Sequence, residues 1–376
     1  MSKINVRSPY FITDNSINGS SALASAQLRI RVYTGNSTSS TTGYQYQLNS
    51  TAIGGKVTFE ISELVRDYIE NNFDGDYTNS TKWLNLQLVR VYDGGSSTTL
   101  NSTLSVFDGY GYFEDGSNPQ NLQSALQSNT TIFTNDFANI NIPIHVTEDT
   151  TVSYLKDGEI IFTKDLVYST NSADQVQYVQ NSSLDADVFK KRVDAITGTT
   201  LEAFNCVKNI ASDVYQEFDA DTIYIDKGGV IEVIKIEEVE ECKYNPYKVT
   251  FVNKFGTLQD LWFFKRSNLS LQTKEESYKA NIVNNGTYSI NSRQKTVFNK
   301  TGVERLQLNT GFYPESYNEI FRQLTLSEEV WINYDGDTLP ITVMSSSLNY
   351  KTRVNDKLIN YTIDVEFANN KINNIR

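Results

Sequence analysis

Histidine is almost missing from this chain. Its 376 residues hold one, His145, together with two cysteines, two methionines and six prolines. General acid–base chemistry near neutral pH draws most often on histidine, and His145 lies inside the alternating run NIPIHV with no serine or cysteine motif beside it. A partly buried strand histidine is therefore the favoured reading. Cys206 and Cys242 make no disulfide framework and no Cys-x-x-Cys; two cysteines in so long a chain read as buried thiols. Nitrogen and sulfur ligation of a metal is thereby nearly excluded, and no cofactor is expected. Gly-x-Ser-x-Gly, His-Glu-x-x-His and the Gly-x-x-x-x-Gly-Lys phosphate loop are absent as well.

Basic excess is missing too. The net charge is −12, which argues against a phosphate-binding surface and so against nucleic acid as a partner. Solubility is the simple explanation of that charge. No apolar run reaches the ~18 residues of a membrane helix, and the opening MSKINVRSPYF has no signal-peptide core. Membrane insertion is not expected. The protein is expected to act where it is made or to travel within a larger particle. The Asn-x-Ser/Thr triplets, Asn18 and Asn360 among them, then follow from composition rather than marking glycosylation.

What the chain does have is aromatic and hydroxyl side chains, with 23 Tyr and 19 Phe, a composition that favours sheets over helices. At this length two or three domains are expected, and the fold class reads as mainly β: serial β-sandwich-like domains with a few short helices. Residues 1–116 form the first. QLRIRVY, GYQYQLN, KVTFEI and WLNLQLVRVY alternate there, and Ser62 is placed as the N-cap of a helix running to Phe73, with Leu64, Val65, Tyr68 and Ile69 on one side. Residues 117–139 read as a polar linker. Residues 140–246 form a middle domain with a hairpin at Asp157-Gly158 and another at KGG. Within it 184–216 fits helix and strand equally well.

Residues 247–376 form the third module, bounded by KVTFVNKFGTLQDLWFF and LINYTIDVEF. Ile359, Tyr361, Ile363, Val365 and Phe367 share one face of the latter. Pro314 precedes a short helix whose face carries Tyr317, Ile320, Phe321 and Leu324.

Carboxylates are the one abundant reactive type. The pairs Asp219/Asp221 and Asp335/Asp337 match a glycosidase by residue type, but Asp335-Gly336-Asp337 and Asp74-Gly75-Asp76 read as turns between strands. Neither has the glutamate that completes an EF-hand. The run Glu237, Glu238, Glu240 and Glu241 reads as a solvated strand face. The aromatic clusters Tyr110, Tyr112 and Phe113, then Trp262, Phe263 and Phe264, with Trp331, have core packing as their simplest role. Their excess over the needs of one core makes them candidates for a subunit interface.

INVRSPYF, KVTFVNKFG, LQLNTGFYPESYNEIFRQLTLSEEVWI and SSLNYKTRVNDKLINYTIDVEFANN resemble virion structural proteins of tailed bacteriophages, nearest to those of phages infecting marine or Bacteroidetes-type hosts. The likeness covers the N-terminal motif and most of the C-terminal module; residues 115–244 carry little of it. It implies a non-enzymatic subunit of the tail, baseplate or neck, made in the host cytoplasm and assembled in a ring with copies of itself and other virion proteins. A receptor- or carbohydrate-binding tail protein using Tyr110, Tyr112 and Trp262 is the alternative, and a polymer-degrading glycosidase a third class. In an assembly subunit the polar loops 35–43 and 115–135 are expected to order on assembly. Limited proteolysis should then cut both loops in the free protein and spare them in the particle; equal cutting in both states counts against it.

Overall fold

A computed structural model describes residues 3–34, 43–77, 81–119, 125–127, 130–135, 140–146, 149–166, 176–180, 220–344 and 358–372. The protein is mainly β, built of several sheets with two short α-helices among the described residues and no closed barrel. It divides into two compact units, Met1–Glu240 with Thr250–Leu261, and Glu241–Val249 with Trp262–Arg376.

The first unit begins with β1 (Lys3–Asn5), β2 (Phe11–Asp14), β3 (Leu23–Tyr33), β4 (Tyr46–Thr51), β5 (Val57–Glu60), α1 (Ser62–Arg66), β6 (Lys82–Tyr92) and β7 (Ser97–Phe107). A sheet in the order β1-β7-β6-β3-β4 forms because alternation puts one face of each strand out of water. Leu28, Ile30 and Val32 stand opposite Leu88, Leu86 and Leu84, all buried. The β2–β5 ribbon and α1 cover them with Val57, Phe59, Ile61 and Val65. Each such side chain contributes about 1.5–3 kcal/mol on burial.

The helix is shorter than its periodicity suggests. Ile61 occupies the N-cap position, while the Ser62 N–H and hydroxyl both donate to the Glu60 carboxylate, drawing Ser62 into the first turn. Tyr68 N–H then donates to Val65 O and Ile69 N–H to Arg66 O, three-residue bonds that close the helix after five residues.

The unit continues with β8 (Thr131–Thr134), β9 (Asn141–His145), β10 (Thr150–Lys156), β11 (Glu159–Leu166), β12 (Val176–Gln180), β13 (Thr222–Lys227) and β14 (Val230–Glu238). The sheet order is β11-β10-β13-β14-β8, and the β9–β12 pair packs Ile142, Ile144 and Val179 on its core. Asp157 and Gly158 have φ of 52° and 83°, the left-handed pair a two-residue hairpin requires. Part of the polar stretch 117–139 is not a linker: β8 runs parallel to β14. An edge strand needs only one dry face, and Ile132 and Thr134 supply it. The ambiguous segment 184–216 and the loop residues 35–42 lie outside the described residues.

The hairpin of β15 (Tyr247–Val252) and β16 (Leu258–Phe263) has its tip, Asn253–Thr257, within the first unit. Asn253 is 0% exposed. Its Oδ1 accepts from Phe255 N–H at 2.9 Å, Thr257 N–H at 3.2 Å and the Thr257 hydroxyl at 3.1 Å. Its Nδ2 donates to the Ala125 carbonyl at 2.9 Å and to Gln259 Oε1 at 3.1 Å. Gly256 has φ of +73°, and a Cβ there would meet the backbone nitrogens of Asp108 and Gly109 at 2.8 Å. Tyr110 N–H donates to the Lys254 carbonyl at 2.9 Å.

In the second unit Tyr247–Val249 and Trp262–Phe263 complete one edge of a sheet whose order is β16-β15-β20-β21-β23-β18-β17. The remaining elements are β17 (Lys265–Lys279), β18 (Lys295–Asn309), β19 (Tyr313–Pro314), α2 (Asn318–Leu326), β20 (Val330–Tyr334), β21 (Asp337–Val343), β22 (Leu358–Ile359) and β23 (Thr362–Phe367). Pro314 leads through a 3-10 turn into α2, which buries Ile320, Phe321 and Leu324. Phe321 lies 4.6 Å from the Tyr361 ring and 5.8 Å from that of Tyr313. Ile359, Tyr361, Ile363, Val365 and Phe367 are all buried, while Leu358, Thr362 and Asp364 are exposed, as the alternation requires.

Two substitutions test the buried tip. Asn253→Ala strands several buried donors and acceptors, each costing about 1–3 kcal/mol, and Gly256→Ala forces a backbone shift. Each is expected to lower the thermal midpoint by roughly 6 °C or more. A midpoint within a degree or so of the parent would show that the tip is not an anchor.

Candidate functional site

Three arrangements deserve chemical scrutiny, and the first surrounds the hairpin tip. Asp260 on β16 accepts from the Tyr77 phenol, 2.6 Å to each carboxylate oxygen, and from the Thr250 hydroxyl at 2.7 Å. The Tyr178 hydroxyl accepts from Leu258 N–H at 2.9 Å. Burial, and then the Asp260 charge, push the Tyr77 phenol far above its usual range; burial does the same to Tyr178. Both stay protonated, Tyr77 donating to Asp260 and Tyr178 accepting from Leu258, rather than acting as acids.

Nearby, His145 stacks on Phe107, with ring centroids 4.6 Å apart. Lys3 Nζ is 3.5 Å from His145 Nδ1 and 5.6 Å from the Phe107 centroid. Burial, with Lys227 close by, brings the Lys3 ammonium down to about 8 against the opposing pull of Glu232. Lys227 itself pairs with Glu232 at 3.4 Å. A lysine and a histidine side by side resemble a catalytic base pair. His145, however, is fully buried, deeper than its sequence setting suggests, and a base must reach the proton it removes. The cluster is a polar seam inside the fold.

The acidic candidates resolve into turns. Asp335 and Gly336 have φ of 52° and 92° between β20 and β21, and Asp74 Oδ1 accepts from Asp76 N–H at 3.1 Å. Asp221 accepts from Asp157 N–H; Asp219 lies outside the described residues. No group of three or more metal-ligating side chains occurs among the described residues. Glu237, Glu238 and Glu240 are exposed, while Lys265 at 2.5 Å holds the Glu241 carboxyl below its usual range. Cys242, in the same connecting segment, is exposed and free rather than a buried thiol; Cys206 is not among the described residues.

Most of the aromatic candidates belong to the cores. Tyr110, Phe263, Phe264 and Trp331 are buried. Tyr112 is half-buried beneath the Lys254 ammonium, 4.3 Å from its ring centroid, and Trp262 is half-buried against Phe264. Phe113 alone of the seven stands in water, 98% exposed.

The larger exposed apolar surface lies where sequence reading assigns no element, between Phe264 and Leu306. β17 and β18 are 15 residues each, paired from Lys265↔Asn309 to Lys279↔Lys295. At the base Leu306 and Leu308 are buried, and β23 pairs with β18 up to Arg305. Lys371 N–H reaches the Gly302 carbonyl at 2.8 Å. Beyond that, among the described residues, no other strand flanks the ribbon. At ~3.3 Å per residue the paired strands run on for roughly 20 Å, before a tip closed by a left-handed Asn285-Gly286 turn.

Leu269 stands opposite buried Leu306, yet is 50% exposed; Leu271, Tyr278, Val297, Phe298 and Ile290 are exposed as well. Leu271 leans across Gly302, whose missing side chain leaves it room. Tyr278 and Phe298 meet with centroids 6.1 Å apart. The signal in sequence was Leu269 and Leu271 on one side of the Asn-Gly turn and Val297 and Phe298 on the other, diluted by lysine, serine and asparagine.

No family model and no curated protein matches the chain. Among solved structures it is similar to that described as "Structural insight into host cell surface retention of a 1.5-MDa bacterial ice-binding adhesin", at 9% identity over 82% of this chain and 88% of that one, with a TM-score of 0.16. It is also similar to E. coli alpha-2-macroglobulin, at 9% identity over 96% of this chain and 20% of that one, with a TM-score of 0.20. At those scores neither bears on fold or function.

The seam makes a pH prediction. An unfolded lysine keeps its proton to about pH 10.4, whereas folded Lys3 releases it near 8. Between those values the unfolded chain binds more protons, so Lys3 makes stability rise with pH across that window. Lys3→Met removes a cost of at most roughly 3 kcal/mol at neutral pH. Urea unfolding should show the variant more stable near pH 7, with the gap closing by about pH 10. Parallel curves for the two proteins would show that Lys3 is not charged at a cost.

Proposed function

We propose that this protein is a structural subunit of a tailed-phage virion, in the tail, baseplate or neck ring, acting by assembly rather than catalysis. Its partners on this reading are copies of itself and other virion proteins, and its place of action is the virion. The observation that carries the reading is the β17–β18 arm. A two-stranded ribbon has little stability alone in water, and this one exposes Leu271, Tyr278, Val297 and Phe298. Surface of that kind marks a contact awaiting a partner. The phage-like wording of INVRSPYF and of residues 306–332 supports the same class.

A receptor- or carbohydrate-binding role needs open aromatic faces. Burial of Tyr110, the ammonium over Tyr112 and the stacking of Trp262 remove the three aromatics that reading relied on, so assembly is favoured. Sedimentation of the purified protein and its position in images of the particle test the proposal: multimers, and density within a ring, are expected. A protein that stays monomeric, is absent from particles and turns over a substrate would overturn it.

A further inference from the structure

We infer that the β17–β18 arm of one subunit docks on the acidic body of a second copy of the same chain. This rests on the assembly reading and names the element that does the assembling. The face buried at the arm's base does not end where the sheet's cover ends: Leu308 and Leu306 lead to exposed Leu269 and Leu271 and on to exposed Val297 opposite Ser277, while Tyr278, on the ribbon's other face, meets Phe298 further out. An apolar row continued past its own core is covered by something from outside the chain.

Charge identifies the cover. Thr273–Gly302 carries five basic residues, Lys274, Lys279, Arg293, Lys295 and Lys300, against Glu275 and Glu276, a net of +3. The whole chain stands at −12, so everything outside the arm stands at −15. Within the arm Lys295 and Lys300 share one carboxylate, Glu275, at 3.4 and 3.8 Å, which leaves positive charge over. A basic ribbon on an acidic protein meets its complement on any sister copy. Such pairing steers encounter and fixes orientation, while the apolar row supplies the contact that excludes water.

β17 is also the outer strand of its sheet, and its lysines keep that edge from indiscriminate pairing. The arm is thereby specified for one kind of neighbour.

Two variants of the full chain test this. One replaces Thr273–Gly302 by Asn-Gly, closing the hairpin on the Gln272↔Val303 pair. The other is K274E/K279E/K295E/K300E, all at exposed positions, which leaves the cores untouched. Self-association is read by sedimentation at low and high salt. Mixed light- and heavy-nitrogen subunits are also coupled with a zero-length amine–carboxyl reagent. The wild-type protein is expected to associate more weakly as salt rises and to give light-to-heavy links from arm lysines to body carboxylates. The charge variant should associate at least tenfold more weakly, and the truncated one should lose the arm-dependent step.

If the wild-type protein assembles and both variants assemble equally well, the arm inference falls while the assembly reading stands. A wild-type protein monomeric in solution and missing from particles removes both. Binding of the wild type to duplex DNA or to phosphatidylserine vesicles, abolished by the charge variant while self-association persists, also overturns the inference, because the arm then serves a phosphate surface.

Discussion

The first unit depends on one asparagine. The tip of the β15–β16 hairpin is irregular backbone placed where water does not reach, and such backbone is stable only if each of its N–H and C=O groups finds a partner. The Asn253 side chain supplies two of them, accepting from the Phe255 and Thr257 N–H groups, and ties the tip to the chain elsewhere by donating to the Ala125 carbonyl. Gly256 then turns the chain against Asp108 and Gly109 without a side chain to hold it off. The tip fixes Asp260 beside Tyr77 and Thr250, and Leu258 beneath Tyr178. These bonds join residues far apart in sequence, so the first unit is closed by a segment that lies after nearly all of it.

That closure explains the buried polar seam without chemistry. Lys3, His145, Lys227 and Glu232 sit where several strands converge, and burying them costs free energy that an apolar set would not. A seam of paired charges and stacked rings fixes which strands meet, since a slipped register leaves each partner unsatisfied. The second unit solves its packing differently, with tyrosines around Phe321 and the Tyr313 hydroxyl bonded to the Trp262 carbonyl.

The arm is the opposite case. Its strands obey the same pairing rules as the sheet they leave, yet they leave it, and their apolar side chains stay wet. Residues selected for water would carry Thr or Lys at Leu271 and Phe298. The aromatic clusters that looked like contact surface, Phe263, Phe264 and Trp331 above all, are spent inside the fold, and ordinary apolar residues on a thin ribbon are left outside it.

By itself the sequence determined whatever depends on near neighbours. The alternation of Ile359 to Phe367, the turns at Asp157-Gly158 and Asp335-Gly336, and the apolar face of α2 were all legible, because side-chain period and left-handed turn geometry are local properties. So was the scarcity of histidine and cysteine. Only the tertiary structure decided which faces are covered. Residues 131–134 became a strand because β14 offered an open edge, α1 stopped early because Tyr68 and Ile69 bond three residues back, and Leu271 stayed exposed because β23 follows β18 only as far as Arg305. A pattern states which side chains share a face, and a partner distant in the chain states whether that face is dry.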